Sequence, residues 1–271
     1  MKKLLTVLAA LAAALVHGIA SAQPVELRFA FPAPPTSYLL TSAFQPWAKE
    51  VESASNGTLT IRIVPGVTLA TFDNVYDRVL KGIADIGFGL TAPIGGQFTK
   101  TSVAGLPFTF DTPHQSAPAL WKLYENGLIA DEFKDVKPLG LFTFGHANIH
   151  TRTVKVRSLA DMKGLKIRSG GKLQGDIVAA LGGAPVTLNP AEIYESFQSG
   201  LIEGASVQWT AVLTFKLAEV AKNHFLVPLD SDPAFLIMNR NSYNRLPPAA
   251  KAAIDKFSGE PLARQIGRAH V

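Results

Sequence analysis

Cysteine is absent from all 271 residues. That excludes a disulfide framework, a thiolate metal site and a cysteine nucleophile. It also removes the residue that a bacterial lipoprotein carries just after its signal, so the mature chain is expected to be soluble and not membrane-anchored. Charge is sparse: only 17% of residues are Asp, Glu, Lys or Arg, the formal net charge is +5, and the basic residues form no block. A weak, scattered positive balance gives no reason to expect a nucleic-acid partner. Catalytic signatures are equally scarce. The chain has no G-x-S-x-G elbow, no H-E-x-x-H helix and no Walker loop; Gly87-Phe88-Gly89 lacks the third glycine of a dinucleotide fingerprint, and Ser169-Gly170-Gly171-Lys172 is only loosely like a phosphate cradle. The one long apolar run, Leu4 to Val16, is too short for a membrane span.

That run is instead the h-region of a secretory signal. Lys2-Lys3 precede it, and Ala20-Ser21-Ala22 offers a small-x-small cleavage site before Gln23. Cleavage there removes two basic residues, so the formal charge falls from +5 to +3. With 47% hydrophobic residues, the remainder can fill one large core or two smaller ones. At the other end, Pro247-Pro248 starts a helix through Ile254 and Phe257, and the chain stops soon afterwards without a closing element. A truncation after about residue 265 is expected, with Ile266 to Val271 foreign to the native protein.

Between these ends, strand and helix periodicities alternate. Val25 to Phe31 alternates as a strand, Phe44, Trp47, Ala48 and Val51 mark one helix face, and Asn56-Gly57 supplies a left-handed stop. Thr58 to Val64 is a second strand. Phe72, Val75, Tyr76, Val79 and Leu80 mark a helix, and Ile83 to Leu90 is a glycine-rich strand. A helix near Pro118 to Glu125 and a strand from Leu139 to Phe144 follow. The pattern then repeats: strands at Leu165 to Arg168, Ala184 to Leu188 and Ala205 to Gln208, helices at Asp176 to Leu181 and from Pro190 to Gly200, and a helix near Leu213 to Val220. Strands at Phe225 to Leu229 and Phe235 to Asn239 close the series.

Two βαβαβ runs predict an α/β fold of two lobes, each a mixed, mostly parallel sheet with helices on both faces and a ligand cleft between them. The expected division is 23–147 with 232–260 for the first lobe and 148–231 for the second, the late strand Phe235 to Asn239 crossing back. In open α/β sheets ligands gather at the carboxyl ends of strands. Arg168, Thr91 and the Gln208-Trp209 pair all occupy such ends. A guanidinium beside Ser169-Gly170-Gly171 and a helix start is suited to an anion, although most arginines are simply solvated. His146 and His150, four apart, are two histidines without a third ligand, a weak basis for a metal site.

Several motifs resemble those of the solute-binding proteins of tripartite ATP-independent periplasmic (TRAP) transporters, the DctP-type family. They are Trp47-Ala-Lys-Glu-Val51 with Asn56-Gly57, Tyr76-Asp-Arg-Val79 through Gly82-Ile-Ala-Asp85-Ile86, and Leu106-Pro-Phe108. Asp161 to Arg168 follows, then Leu181-Gly-Gly-Ala-Pro185-Val186, Glu192-Ile-Tyr194, Phe197-Gln-Ser-Gly200-Leu-Ile-Glu203-Gly204, Met238-Asn239 and Leu246-Pro247. They span the mature chain in order. The resemblance implies an extracytoplasmic receptor, a monomer in the periplasm, which takes a small organic acid and delivers it to the small and large membrane subunits of a permease. It implies that Arg168 pairs with the ligand carboxylate, a bidentate geometry that fixes orientation as well as energy. Trp209 and Tyr38 are then expected as apolar walls, and Thr91, Asn148 and Gln208 as neutral hydrogen-bonding groups. Asn148, Pro190 and Val207 stand where sialic-acid-type members carry an arginine, an aromatic and an asparagine, which argues against that ligand and for one with a single dominant carboxylate. No cofactor is expected, and no catalysis; a ligand-bridging metal ion is open but not predicted. Two alternatives remain open: a secreted α/β enzyme acting on a small carboxylate through His146 or His150, and a binding protein for another transporter type.

Overall fold

In the computed structural model, residues 23–269 are described. Residues 1–22, where the secretory signal is expected, and the last two residues lie outside them. Two five-stranded sheets organise the described chain. In the first, β1 (Val25–Phe31) pairs in parallel with β2 (Leu59–Pro65) and β3 (Ile86–Leu90). β10 (Pro233–Asn239) lies antiparallel between β3 and β4 (Val136–Thr143), giving the order β2-β1-β3-β10-β4. In the second, β6 (Lys166–Ser169) pairs in parallel with β7 (Ala184–Thr187) and β8 (Gly204–Val207). β5 (Asn148–Thr151) lies antiparallel between β8 and β9 (Asn223–Phe225), giving β7-β6-β8-β5-β9. Each sheet is thus mixed: its βαβ half is parallel, and the strands next to the crossings between lobes bring the antiparallel half.

Helices cover both sheets. In the first lobe α1 (Gln45–Ala54) buries Trp47, Ala48 and Val51, the stripe that its sequence spacing predicts. Asn56 (φ 53°) and Gly57 (φ 76°) then end it in left-handed backbone, which glycine adopts without steric cost. α2 (Val75–Leu80) packs on β3, and α3 (Pro113–Glu125) on β4. α4 (Leu159–Met162) is a single turn closed by a Ser158–Asp161 capping box. α5 (Lys172–Ala180) follows β6. α6 (Ile193–Ser199) is entered through a tight turn at Pro190 and stopped by Gly200 (φ 75°). α7 (Trp209–Thr214) follows β8 directly, so the helix expected near Leu213 to Val220 starts and ends earlier: Lys216 in left-handed backbone (φ 54°) breaks the chain after it, and only a separate turn at Leu217–Glu219 lies beyond.

α8 (Arg240–Asn244), α9 (Pro248–Phe257) and α10 (Glu260–Ala269) return to the first lobe, where Ile254, Leu262, Ala263 and Ile266 are buried. Trp47 Nε1 donates to the Phe257 carbonyl at 2.9 Å and ties α1 to α9. None of the described helices is long and apolar enough to cross a membrane. One aromatic-rich core fills the first lobe; the second has a core on each face of its sheet, one around Phe197 and Val207 and the other around Ile149 and Ile167.

The chain crosses between the sheets twice, from β4 to β5 and from β9 to β10. The two crossings pair with each other: Phe144 N donates to Asp232 O at 3.0 Å, and Ala147 N to Asp230 O at 2.7 Å. The strand predicted at Phe225 to Leu229 lies earlier in the chain, at Asn223–Phe225. β9 ends at Phe225, and the Val227 N–H goes to the Asn148 side chain at 3.0 Å instead of to a ladder.

Candidate functional site between the lobes

β6 carries Arg168 in the middle of the second sheet, opposite Val186 on one side and Ala205 on the other. Its side chain is 2% exposed. Nε donates to the Leu188 carbonyl at 3.0 Å and Nη1 to the Ser206 carbonyl at 3.5 Å, so two backbone acceptors hold the guanidinium plane. Neither contact neutralises it. Among the described residues no carboxylate lies within ion-pair distance of Arg168, and Nη2 makes no hydrogen bond. Burial pulls its pKa down to about 10, against the opposing pull of Asp232, Asp230 and Glu192, so it stays charged at neutral pH.

Arg168 borders a cavity of about 50 Å³ that both lobes enclose. Ala33, Leu39, Phe72, Phe88 and Leu90 contribute from the first lobe, Pro190, Ile193, Val207, Gln208 and Thr210 from the second, and Phe144 and Asp232 from the two crossings. The walls are mostly apolar. A benzene-sized guest occupies a cavity of about 150 Å³, so this space must widen to admit an aromatic ring. Behind this wall Phe142 packs against both Phe88 and Phe144, its ring stacked on Phe88 at 6.3 Å.

The six residues expected from the sequence divide. Arg168 and Gln208 share the cavity. Gln208 caps α7 in extended backbone and donates to Asp232 Oδ2 at 2.6 Å. Thr91 is 1% exposed at the end of β3, with its hydroxyl unpartnered among the described residues, and borders the adjoining space between the lobes. Tyr38 is 52% exposed, while its neighbour Ser37 lines the cavity. Trp209, 44% exposed, turns outward at the start of α7 and packs against His150 and His224, each ring 4.9 Å away. Asn148 bridges the His146 carbonyl and the Val227 N–H. Trp209 and Asn148 therefore share an outer groove, not the Arg168 cavity.

The two histidines weighed for catalysis do not meet. His146 Nε2 lies 3.2 Å from the Asp111 carbonyl; His150 Nε2 faces the Val207 carbonyl at 3.1 Å, and its Nδ1 faces His224 Nδ1 at 2.8 Å. Burial lowers the His150 pKa to about 4, so it is neutral, with Nε2 donating to the carbonyl and Nδ1 accepting from His224. Among the described residues no three His, Asp or Glu side chains come together as a metal-binding group. Asp85 receives Arg28 N, Ser242 Oγ and Arg245 Nη2 between 2.6 and 2.9 Å, and joins β1, β3 and α8.

Sequence reasoning missed three polar groups. Asp230 and Asp232 lie on the second crossing, and Gln174 on α5 donates to both, at 2.7 and 3.1 Å. Asp230-Ser-Asp232 just before the apolar run of β10 was a visible signal. Gln174 had none, because nothing local sets a helical glutamine apart.

The match to the family described as bacterial extracellular solute-binding protein, family 7, covers residues 29–270. A solute-binding protein of Albidiferax ferrireducens is 28% identical over 178 residues, 65% of this chain and 52% of its own length. The chain thus spans about half the length of that relative. A TRAP solute-binding protein from an unidentified marine microbe, solved with 3-hydroxybenzoate, superposes with a TM-score of 0.88 at 27% identity, covering 92% of this chain and 79% of that one. One from Bordetella bronchiseptica, solved with (R)- and (S)-mandelate bound, gives 0.85 at 32% identity over 91% and 79%.

Proposed function

Because the chain belongs to the bacterial extracellular solute-binding proteins of family 7, we propose that it captures an aryl or similarly apolar monocarboxylate between its lobes and hands it to a TRAP-type membrane permease. One observation carries this reading: a charged, buried guanidinium with no acid at ion-pair distance, set in a cavity whose other walls are mostly apolar. A carboxylate brought to Arg168 gains charge-assisted bonds where water no longer competes, while Leu90, Phe88 and Phe144 take its apolar body. The similar structures solved with 3-hydroxybenzoate and mandelate, both aromatic acids, support that ligand class. Gln208 and Thr91 supply neutral hydrogen bonds, and Tyr38 closes the rim. Trp209 and Asn148 act from outside, by fixing the backbone on which Gln208 and the crossing strands sit. The cycle needs no cofactor and makes or breaks no bond in the ligand, and the mature protein works as a free monomer in the periplasm. Ligand drives closure only to the extent that it binds the closed form better, so contacts from both lobes are required.

Calorimetry and thermal shift with benzoate, 3-hydroxybenzoate, mandelate and glucuronate test this. The aryl acids should raise the melting temperature, benzamide should not, and Arg168→Ala should fold yet lose most of the shift. Equal shifts in the variant, or binding of glucuronate alone, would overturn it.

A further inference from the structure

Asp230 and Asp232 are 1% and 6% exposed, and the cavity wall that includes Arg168 also includes Asp232. Both carboxylates are held by amides. Gln174 donates to Asp230 Oδ2 and Asp232 Oδ1, Gln208 donates to Asp232 Oδ2, and Gln174 Oε1 accepts from Gly170 N at 2.6 Å. Asp230 Oδ1 has no partner among the described residues. Neutral amides satisfy hydrogen bonds but do not balance charge.

The charge around the pair is therefore short of cations. Arg168 faces it from β6, and Glu192 adds a further negative charge beside that arginine. On α5, Lys172 and Asp176 pair with each other at 2.6 Å, largely in solvent. On the first crossing, His146 Nδ1 stands 3.5 Å from Ser231 Oγ. The facing first-lobe segment, through Thr91, Thr99 and Ser102, brings no charge to the wall. One buried guanidinium thus serves two buried carboxyl groups before any ligand arrives. Burial, followed by the charge of Asp232, pushes Asp230 up to about 7, and burial raises Asp232 as well.

We propose that binding of a ligand carboxylate at Arg168 is coupled to uptake of one proton by the Asp230–Asp232 pair. This rests on the carboxylate-binding reading above. A ligand anion would make three carboxylates around one cation, and because Arg168, Asp230 and Asp232 are all buried their repulsion is weakly screened. A proton from solvent restores the balance of the empty site. Asp230 Oδ1 is where it is most easily added, because no existing hydrogen bond is lost there. The proton returns to solvent when the ligand leaves. Affinity should then fall as pH rises, although the ligand itself is fully ionised throughout this range.

The test is calorimetry of benzoate binding to the intact chain at one pH near 7.5, in phosphate, HEPES and Tris. Observed enthalpy should rise with buffer ionisation enthalpy, with a slope of about half a proton to one proton, and Kd should increase by up to about tenfold per pH unit above that point. Asp230→Asn should bring the slope close to zero and flatten the pH profile while benzoate still binds. Benzoate binding with zero slope in the natural chain would overturn the coupling and leave the carboxylate reading standing. No binding of any aryl carboxylate would overturn both. Should Asp230→Asn fail to fold, the slope and pH profile of the natural chain still decide.

Discussion

Buried titratable groups in the second lobe and at the crossings pull its pH dependence in opposite directions. Asp230 has a raised pKa of about 7 in the folded protein, so the folded state holds a proton that the unfolded chain has already lost, and stability falls as pH rises towards 7. His150 is lowered to about 4, so the folded state refuses a proton that the unfolded chain accepts, and stability falls as pH drops from 6.5 towards 4. Between those values the two slopes oppose each other. Above about pH 6.5 only the carboxyl slope remains, at no more than about 1.4 kcal/mol per pH unit. The melting temperature of the ligand-free protein should therefore decline between about pH 6.5 and 8, and Asp230→Asn should remove that decline. An unchanged slope in the variant would show that the pair does not titrate as its burial implies.

Close packing at the element scale rests on the glycines of β3. A Cβ added at Gly89 would lie 2.5 Å from the Phe235 ring and 2.7 Å from Val75, and one at Gly87 would lie 2.6 Å from Val79. α2 sits directly over the strand because those positions carry no side chain. Gly89→Ala should therefore cost about 1–3 kcal/mol in urea unfolding by overpacking, without moving ligand affinity in the folded fraction. A cost below about 0.5 kcal/mol would mean that Phe235 shifts aside freely. These elements were largely legible beforehand. Trp47, Ala48 and Val51 advertise α1, and Gly200 marks the end of α6. Legibility failed where a ladder depended on a distant partner. The apolar residues from Phe225 to Val227 look like strand, but Leu226 is exposed and the Val227 N–H is taken by Asn148, 79 residues away.

Closure of the whole molecule depends on how near the lobes can come. Gly171, just after β6, meets the first lobe at Ala92: an added Cβ would stand 2.5 Å from the Ala92 carbonyl oxygen. Its backbone is extended (φ 178°), so alanine brings no local strain and acts only on the approach of the lobes. Gly171→Ala should leave the melting temperature of the ligand-free protein nearly unchanged, weaken benzoate binding, and keep the radius of gyration in solution scattering from contracting when benzoate is added. Full affinity and full contraction would show that the lobes close without this contact.

The alternation of strands and helices, their glycine stops, and the position of one arginine at the end of a parallel strand are already present in the order of residues. Those follow from periodicity and backbone preference, which act over a few residues. Which side chains share the cavity depends instead on the folded arrangement. Trp209 adjoins Gln208 in the chain yet turns outward to His150 and His224, whereas Gln174 reaches Asp230 and Asp232 across 56 and 58 residues. Burial and charge balance are properties of such distant neighbours. The ionisation of Asp230, and with it the chemistry open to Arg168, exists only once the two crossings bring them together.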